Sequence, residues 1–377
     1  MNNAASKILG SGIPLDQLLE ETQKIVDTDL KPLTVDIDLE GYYPEAVMRK
    51  LGSVGVYQQH LPAMRNDGLS DMGAAIQAMG VISYECMSTG FATWCQDTCS
   101  WYLQNAANST VRDNWLEKVS SGKVLGGTGM SNTMKAFAGI EDLRLKGKRV
   151  DGGYIVNGSL PWVSNLGEDH VFGTLFELEG QAGRSVMALV DCNSEGFELR
   201  LSAHFVALEG TRTFACIFTD VFIPDEMIID DDGAAFLKRS RTGIVLLQFG
   251  MGIGNIQSCI DISRSVEPLL GHVNGYLDDR PDELQEELDD AVDATLVLAE
   301  EPFETGNEYF REVLEARLVA GELALRASQS AMLHTGAKGY LKAASAQRKL
   351  RESYFVAIVT PSIKHLRKEL DTLAQAA

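Results

Sequence analysis

One strand-like run ends beside a tryptophan and a serine. In YIVNGSLPWVSN, residues 154–165, an apolar stretch reaches a turn at Asn157-Gly158, and Trp162 and Ser164 follow. This pair suits a flat ligand ring, because a broad aromatic side chain covers one face while a short hydroxyl hydrogen-bonds the edge. The alternative is that Trp162 is simply a core or edge aromatic, since tryptophans are mostly buried.

Two glycine-containing patterns resemble known motifs only in part. In QFGMGIGN, Asn255 takes the place of the third glycine of a dinucleotide fingerprint, and no strand precedes the run. Gly250, Gly254 and Ser258 fall four residues apart, which predicts one helix face that another helix approaches closely. At residues 129–133, GMSNT lacks the final glycine of a nucleophile elbow, so a serine hydrolase is not supported.

No metal site is predicted from the cysteines and histidines. Cys95 and Cys99 share a helix face, but no second ligand pair with suitable spacing accompanies them. The six histidines are dispersed, and each fits a hydrogen-bonded structural role better than metal ligation. The six cysteines stand in apolar surroundings of a long chain, which predicts free, mostly buried thiols.

The elements that would position these residues fall into three blocks. Apolar residues recur every three or four positions up to about residue 122 and again from 233 to the end. Between them the period is two, in short β-rich runs separated by Gly, Asn and Asp, which predicts an antiparallel barrel or sandwich. We therefore expect an α+β fold with an N-terminal helical domain (1–122), a middle β-barrel domain (123–232) and a C-terminal helical bundle (233–377).

The charge and hydropathy of the chain argue against nucleic acid and membranes as binding partners. The 377 residues carry a net charge of −20, which repels nucleic acid and anionic membrane surfaces. The start MNNAASKILGSGIPLDQ has no targeting pattern, and no run of about 18 apolar residues occurs. A cytoplasmic protein is predicted, with no nucleic-acid and no membrane partner. The acidic stretch 278–293 is interpreted as a solvated helix face.

Three stretches then fit one template in order and spacing. They begin at GKVLGGTGMSNTM (from residue 122), ALEGTRTFACIFTDVFIP (from 207) and HTGAKGYLKAASAQRKLRES (from 334). Together with the helix-strand-helix order they resemble the acyl-CoA dehydrogenase superfamily, which also includes flavin-dependent monooxygenases. Trp162-Val163-Ser164 matches the family's Trp-x-Thr, residues 128–132 match a degraded Thr-Glu-Pro-x-x-Gly-Ser-Asp, and residues 218–224 match F-x-x-V-x-V-P.

The resemblance implies a flavin, FAD or FMN, with Trp162 as its aromatic wall and short hydroxyls at the ring edge. The residues it implies for the cofactor are Thr128, Met130, Ser131, Trp162, Val163, Ser164, Arg264, Gly336 and Gly339. Those implied for a small organic substrate are Ser131, Ser240, Arg241 and Thr360. The family also implies a homodimer or homotetramer, for which the small-residue faces at Gly250, Gly254, Ala324, Ala327 and Ala331 suit a bundle shared between subunits.

The chain departs from the family where a dehydrogenase needs its base. A glutamate that takes the α-proton of an acyl thioester is expected in the segment 355–361 or just before Arg241, and neither place holds an acid. This favours oxygen chemistry of the monooxygenase type, with His365 as a candidate catalytic residue, although a helix-end histidine beside Lys364 and Arg367 is also typical of a solvated position.

Two alternatives stay open beside that hypothesis. One is an acyl-CoA dehydrogenase with an unusual base, for example Asp230, Asp231 or Asp232. The other is a non-catalytic binding protein of the same fold, which the weakened FAD motifs would fit. A separate flavin reductase or an electron-transfer flavoprotein is the partner that the resemblance implies.

Overall fold

The computed structural model describes residues 13–201 and 203–376. The predicted absence of a targeting pattern rests largely on residues 1–12, which lie outside the described residues. Within the described part, the predicted order of helices, then strands, then helices is confirmed.

Six α-helices precede the sheet in the part of the chain described from residue 13 onward. They are α1 (Leu15–Ile25), α2 (Thr34–Leu39), α3 (Glu45–Ser53), α4 (Met72–Glu85), α5 (Met87–Gln104) and α6 (Ser109–Ser120). The long helical pattern of residues 71–96 is interrupted at Cys86, whose backbone is extended, so that two helices form instead of one. Every residue of α5 from Met87 to Leu103 is buried, which makes α5 the central helix of this block.

The middle block is one eight-stranded sheet. Its strands are β1 (Gly126–Thr128), β2 (Lys146–Val150), β3 (Gly153–Val163), β4 (Val171–Leu178), β5 (Ser185–Asp191), β6 (Phe197–Arg200), β7 (Phe214–Pro224) and β8 (Ile228–Asp230). The order is β6-β7-β3-β2-β4-β5-β8, with β1 beside β4. Most pairs are antiparallel as predicted, while β1 and β2 each pair with β4 in parallel. A short helix, α7 (Met130–Phe137), connects β1 to β2.

One predicted strand is too long. The apolar run 197–208 reads as a single strand, but β6 ends at Arg200 and the residues after it leave the sheet. Leu208 and Arg212 have positive φ angles of 65° and 46°, which turn the chain back toward β7. The apolar side chains of this loop contribute to a cavity instead of a β-ladder.

Six α-helices follow the sheet within residues 233–376. They are α8 (Gly233–Leu247), α9 (Phe249–Asn274), α10 (Pro281–Leu298), α11 (Asn307–Thr335), α12 (Ser345–Ile358) and α13 (Ile363–Ala376). Among the described residues, one stretch, Gly233–Asn274, is long and apolar enough to span a membrane, yet 89% of its apolar window is buried inside the protein. It therefore behaves as a core helix pair of the bundle.

The small-residue face of α9 packs as predicted, but inside the chain. A Cβ added at Gly254 would lie 2.1 Å from the carbonyl oxygen of Gly80, and one at Gly250 would lie 2.6 Å from that of Ile76. The glycines therefore let α9 approach the backbone of α4. The alanine face of α11 is also buried within the chain. Both small-residue faces are therefore used inside the chain, instead of between subunits as the sequence predicted. All six cysteines are free and buried, as predicted.

The changes of secondary structure fall near the predicted boundaries. Helix α6 ends at Ser120, β1 begins at Gly126, β8 ends at Asp230 and α8 begins at Gly233. We keep the division into domains 1–122, 123–232 and 233–377 as a proposal.

Candidate active site

A cavity of about 1010 Å³ lies between the end of the sheet and the helices on either side. Its walls come from α5, the β1–α7 junction, the end of β3, the loop before β7, α11 and the segment that joins α12 to α13. Six stretches that are separate in sequence therefore meet here. This is the cavity we call the main cavity.

Hydroxyl groups form one wall of the main cavity. Thr128 and Ser164 face each other as an isolated β-bridge. The Thr128 hydroxyl lies 2.5 Å from the Tyr102 hydroxyl, and the Ser164 hydroxyl lies 2.5 Å from that of Thr213. Burial raises the pKa of Tyr102, so its hydroxyl stays protonated. The wall is a row of neutral hydrogen-bonding groups.

Trp162 borders this wall and is largely open. Its side chain is 57% exposed, and its recorded aromatic contact is an edge-to-face one with Phe205, with ring centroids 6.3 Å apart. A tryptophan that served only the core would be covered. The exposed ring surface is therefore available to a ligand in the main cavity, whereas the neighbouring Val163 is buried and does not line it.

Aromatic side chains close the opposite end. Phe91 stacks on Trp94 at 5.7 Å between centroids and meets Phe355 edge-on at 4.5 Å. All three line the main cavity, so this end offers an apolar surface from which water is excluded.

A hydrogen-bonded link joins the sheet side to the helical side. The hydroxyls of Ser131 and Thr360 lie 2.9 Å apart, and both residues line the main cavity. Gln248 donates from Nε2 to the carbonyl oxygen of Thr360 at 2.8 Å, which holds the segment between α12 and α13 in place.

None of the described residues that line the main cavity is an aspartate or a glutamate. The three carboxylates considered as an alternative base are engaged elsewhere. Asp230 pairs with Arg239, Asp231 accepts from the Tyr154 hydroxyl at 3.2 Å, and Asp232 caps α8 by accepting from the backbone N–H of Ala235 at 3.0 Å.

Two of the four predicted substrate residues lie elsewhere. Ser240 is fully buried and donates to the carbonyl oxygen of Phe236 at 2.9 Å. Arg241 lies over the ring of Phe310 at 3.9 Å and lines a separate cavity of about 380 Å³ that also holds Glu369. Both side chains sit on α8, and its backbone turns them away from the main cavity, where Ser131 and Thr360 are placed.

The predicted residues for the far end of the cofactor also lie away from the main cavity. Arg264 donates to Asp282 at 3.0 Å and to Gln285 at 2.9 Å, so its guanidinium is held by α10. Gly336 ends α11 with a φ of 58°, and Gly339 follows in the same turn. Met130, in contrast, is buried and does line the main cavity.

His365 is buried instead of solvated. Its side chain is 3% exposed, and Nε2 lies 3.4 Å from a carboxylate oxygen of Glu369. Burial, with Lys368 and Lys135 nearby, lowers its pKa to about 4, so the ring is neutral near pH 7. His365 does not line the main cavity, where the neighbouring Lys364 does.

The main cavity fits the ring system of a flavin. It joins an exposed aromatic face, a row of hydroxyls for a polar ring edge, and apolar surface for the rest. The basic and glycine residues predicted for the dinucleotide end lie outside this cavity, and their role stays a prediction. Sequence reasoning missed Tyr102, Thr213 and the loop 203–208; the alternation Thr211-Arg212-Thr213 directly before β7 was the available signal for the hydroxyls.

Comparison with known proteins agrees with this arrangement. Residues 15–123 match the family described as acyl-CoA dehydrogenase, N-terminal domain. Isovaleryl-CoA dehydrogenase of Oryza sativa subsp. japonica is 23% identical over 256 residues, which cover 66% of this chain and only 62% of that protein.

Two solved structures share the fold at 14% identity. Butyryl-CoA dehydrogenase from Megasphaera elsdenii has a TM-score of 0.85 with full coverage of both chains. Dibenzothiophene monooxygenase from Paenibacillus sp. A11-2 has a TM-score of 0.79 and covers 94% of this chain and 96% of its own. Residues 15–123 therefore match the acyl-CoA dehydrogenase N-terminal domain, and the chain as a whole has the fold of the acyl-CoA dehydrogenases.

Proposed function

We propose that this chain is a flavin-dependent oxidoreductase whose main cavity holds the flavin ring and a small organic substrate, and that it acts as a monooxygenase. The observation that carries the proposal is a flavin-like site without a carboxylate among its described lining residues. Removal of an α-proton from an acyl thioester needs a base within hydrogen-bond reach of that carbon. Thr360 occupies the wall where the family's base is expected, and a hydroxyl is too weak a proton acceptor near neutral pH.

The residues divide the work between holding the ring and excluding water. Trp162 covers one face of the ring, and Thr128, Ser164 and Thr213 hydrogen-bond its polar edge. When bound, a flavin supplies hydride and single-electron transfer and, once reduced, reactivity toward oxygen. The aromatic end at Phe91 shields the reacting atoms from water, which suppresses wasteful side reactions.

The remaining features of the proposal concern the surroundings. FAD or FMN is the cofactor, and a separate flavin reductase or an electron-transfer flavoprotein delivers the electrons. We further propose a cytoplasmic homodimer or homotetramer. The fold shared with a dibenzothiophene monooxygenase supports the proposal of a monooxygenase, since that protein carries oxygen chemistry on the same scaffold.

One observation favours a second candidate, a non-catalytic binding protein. Arg264, Gly336 and Gly339 lie away from the main cavity, so this chain alone offers little for the dinucleotide end of FAD. This candidate predicts that neither FAD nor FMN binds with measurable affinity.

The test is a rapid-mixing experiment on the flavin-loaded chain. The protein is reduced without oxygen and mixed with oxygenated buffer, and the visible spectrum is followed. We expect the oxidised spectrum to return only after a delay, and we expect butyryl-CoA added anaerobically to leave the oxidised flavin unreduced. Rapid bleaching by the thioester would overturn the proposal in favour of a dehydrogenase, and failure to bind flavin would favour the binding protein.

A further inference from the structure

Helix α11 buries an arginine that has no counter-ion. Arg317 is 1% exposed and is among the largest fully buried side chains of the chain. Its Nε donates to the Gln248 side-chain oxygen at 2.8 Å and its Nη2 donates to the carbonyl oxygen of Val356. The remaining nitrogen, Nη1, has no hydrogen-bond partner, and no carboxylate in the described part of the chain pairs with the guanidinium.

Burying the charged guanidinium of Arg317 costs free energy. Burial lowers the pKa of Arg317 to about 10, so the group stays charged near pH 7. A buried charge is tolerated in proteins when an opposite charge or a full set of hydrogen bonds compensates it. Lys349, the other fully buried cation of this bundle, follows the rule, because Glu352 lies 2.8 Å from its ammonium group. Arg317 has no such partner among the described residues, so a bound anion is the counter-charge that would complete its surroundings.

The polar contacts of Arg317 lead directly to the main cavity. Gln248, which accepts from Arg317, donates in turn to the carbonyl oxygen of Thr360, and the Thr360 hydroxyl meets Ser131. The second acceptor, Val356, lies in the last turn of α12, and residues 357–360 that follow it line the cavity. The guanidinium is thus connected to the Ser131–Thr360 wall through the side-chain amide of Gln248.

The charged side chains that line the main cavity are also positive. Its described lining includes Lys135 and Lys364 and no acid, although the chain as a whole carries a net charge of −20. Two of the basic lining residues have an acid close by, since Glu141 lies 3.9 Å from Lys135 and Glu209 lies 3.5 Å from His204 at the exposed rim. Lys364 has no ion-pair partner among the described residues. A positive, partly dry wall in an acidic protein favours an anionic ligand over a neutral one.

We infer that the main cavity selects an apolar molecule bearing a negative charge, such as a carboxylate, and seats that charge at the Ser131–Thr360 wall with Arg317 as its buried counter-charge. Arg317 is a positioning residue, because it acts through Gln248 and Thr360. The inference rests on the proposed function for the use of this cavity and adds the class of substrate to it. The negative charge belongs either to the substrate or to the bound cofactor.

The test compares two probes of equal shape by titration calorimetry on the full chain. 3-Phenylpropanoate carries the charge, and 3-phenylpropanamide is its neutral counterpart. We expect the acid to bind about tenfold more tightly than the amide, or better, as a charge-assisted site does. Arg317→Met should reduce that ratio to about two or less, and Arg317→Lys should restore most of it. Arg326→Met is the matched control on the same helix, since Arg326 is exposed and pairs with Asp279 and Glu287.

Equal affinity of the unchanged protein for acid and amide overturns the inference, whether or not the Arg317→Met variant folds. An undiminished ratio in folded Arg317→Met overturns it as well. FAD is titrated separately: if FAD does not bind while the acid is preferred, the proposed function fails and the anion site stands. With FAD bound, a retained preference assigns the charge to the substrate, and a lost preference assigns it to the cofactor.

Discussion

Trp162→Ala gives the most direct test of the ring site. A tryptophan exposes roughly 250 Å² when free, so at 57% exposure roughly 140 Å² of Trp162 is open. If a flavin ring covers about half of that, roughly 70 Å² at about 25 cal/mol per Å² contributes ~1.8 kcal/mol to binding. The alanine variant should then bind flavin about 20-fold more weakly.

The assay is a titration of the purified chain with FAD and with FMN, followed by the change in flavin fluorescence. Because Trp162 is largely exposed, the variant should keep nearly the unfolding temperature of the parent. Trp162→Phe keeps a smaller ring and should fall between the two. Trp115→Ala on α6, outside the main cavity, is the control. Unchanged affinity in Trp162→Ala, or an equal loss in Trp115→Ala, would refute the assignment of this wall to the ring.

Three further predictions concern stability, each measured by urea unfolding. Asp97 is fully buried, neither carboxyl oxygen has a hydrogen-bond partner, and the imidazole of His60 lies 3.9 Å from one of them. Burial raises the pKa of Asp97, so above the carboxyl's ordinary range folding requires the ionised side chain to take up a proton, and this cost grows with pH. Asp97→Asn should therefore stabilise the fold near neutral pH by about 2 kcal/mol. A loss of stability there would contradict this reasoning. His365 has a pKa lowered to about 4, so the unfolded chain binds the extra proton first and stability should fall by roughly 2 kcal/mol from about pH 7 to about pH 4.5, a dependence that His365→Gln should remove. An unaltered pH profile in the variant would count against it. Gly254→Ala drives a methyl group to 2.1 Å from a backbone oxygen of α4 and should cost roughly 2 kcal/mol or more, whereas Gly271→Ala, which meets only the flexible Glu267 carboxylate, should be neutral or stabilising. Equal effects at the two glycines would show that close helix approach is not the cause.

The spacing of apolar residues predicted most of the secondary structure. The switch from a period of three or four to a period of two marks the start and end of the strand block within a few residues. Small residues spaced by four on α9 correctly indicated a close helix contact, although not that its partner is α4 of the same chain. The prediction of one strand over 197–208 was wrong because an alternating pattern shows that one side of the segment is covered, but not whether a neighbouring strand or a cavity covers it.

The site was predictable only where a residue type carries its own signal. Trp162 beside Ser164 stands out because an aromatic and a hydroxyl at a strand end have few structural reasons to adjoin. Ser240 and Arg241 were misplaced because the direction of a helix side chain depends on packing, and one position along a helix rotates it by about 100°. Arg317 had no signal at all, since an arginine in a charged helix reads as solvated until the partners of that helix are known.

The missing carboxylate and the lone arginine are consequences of one electrostatic arrangement. A carboxylate at the Thr360 wall would lie near the positive charge of Arg317, with Gln248 between them, and this charge would lower the carboxylate's pKa and weaken it as a proton acceptor. Without it, the positive charge behind the wall is unused by the protein and remains available to a ligand. The same wall therefore loses the proton-transfer step that a dehydrogenase needs and gains the ability to orient an anion beside the ring. On this argument the chemistry of the cavity is set by the sign of its wall, and substrate charge is the property to vary first.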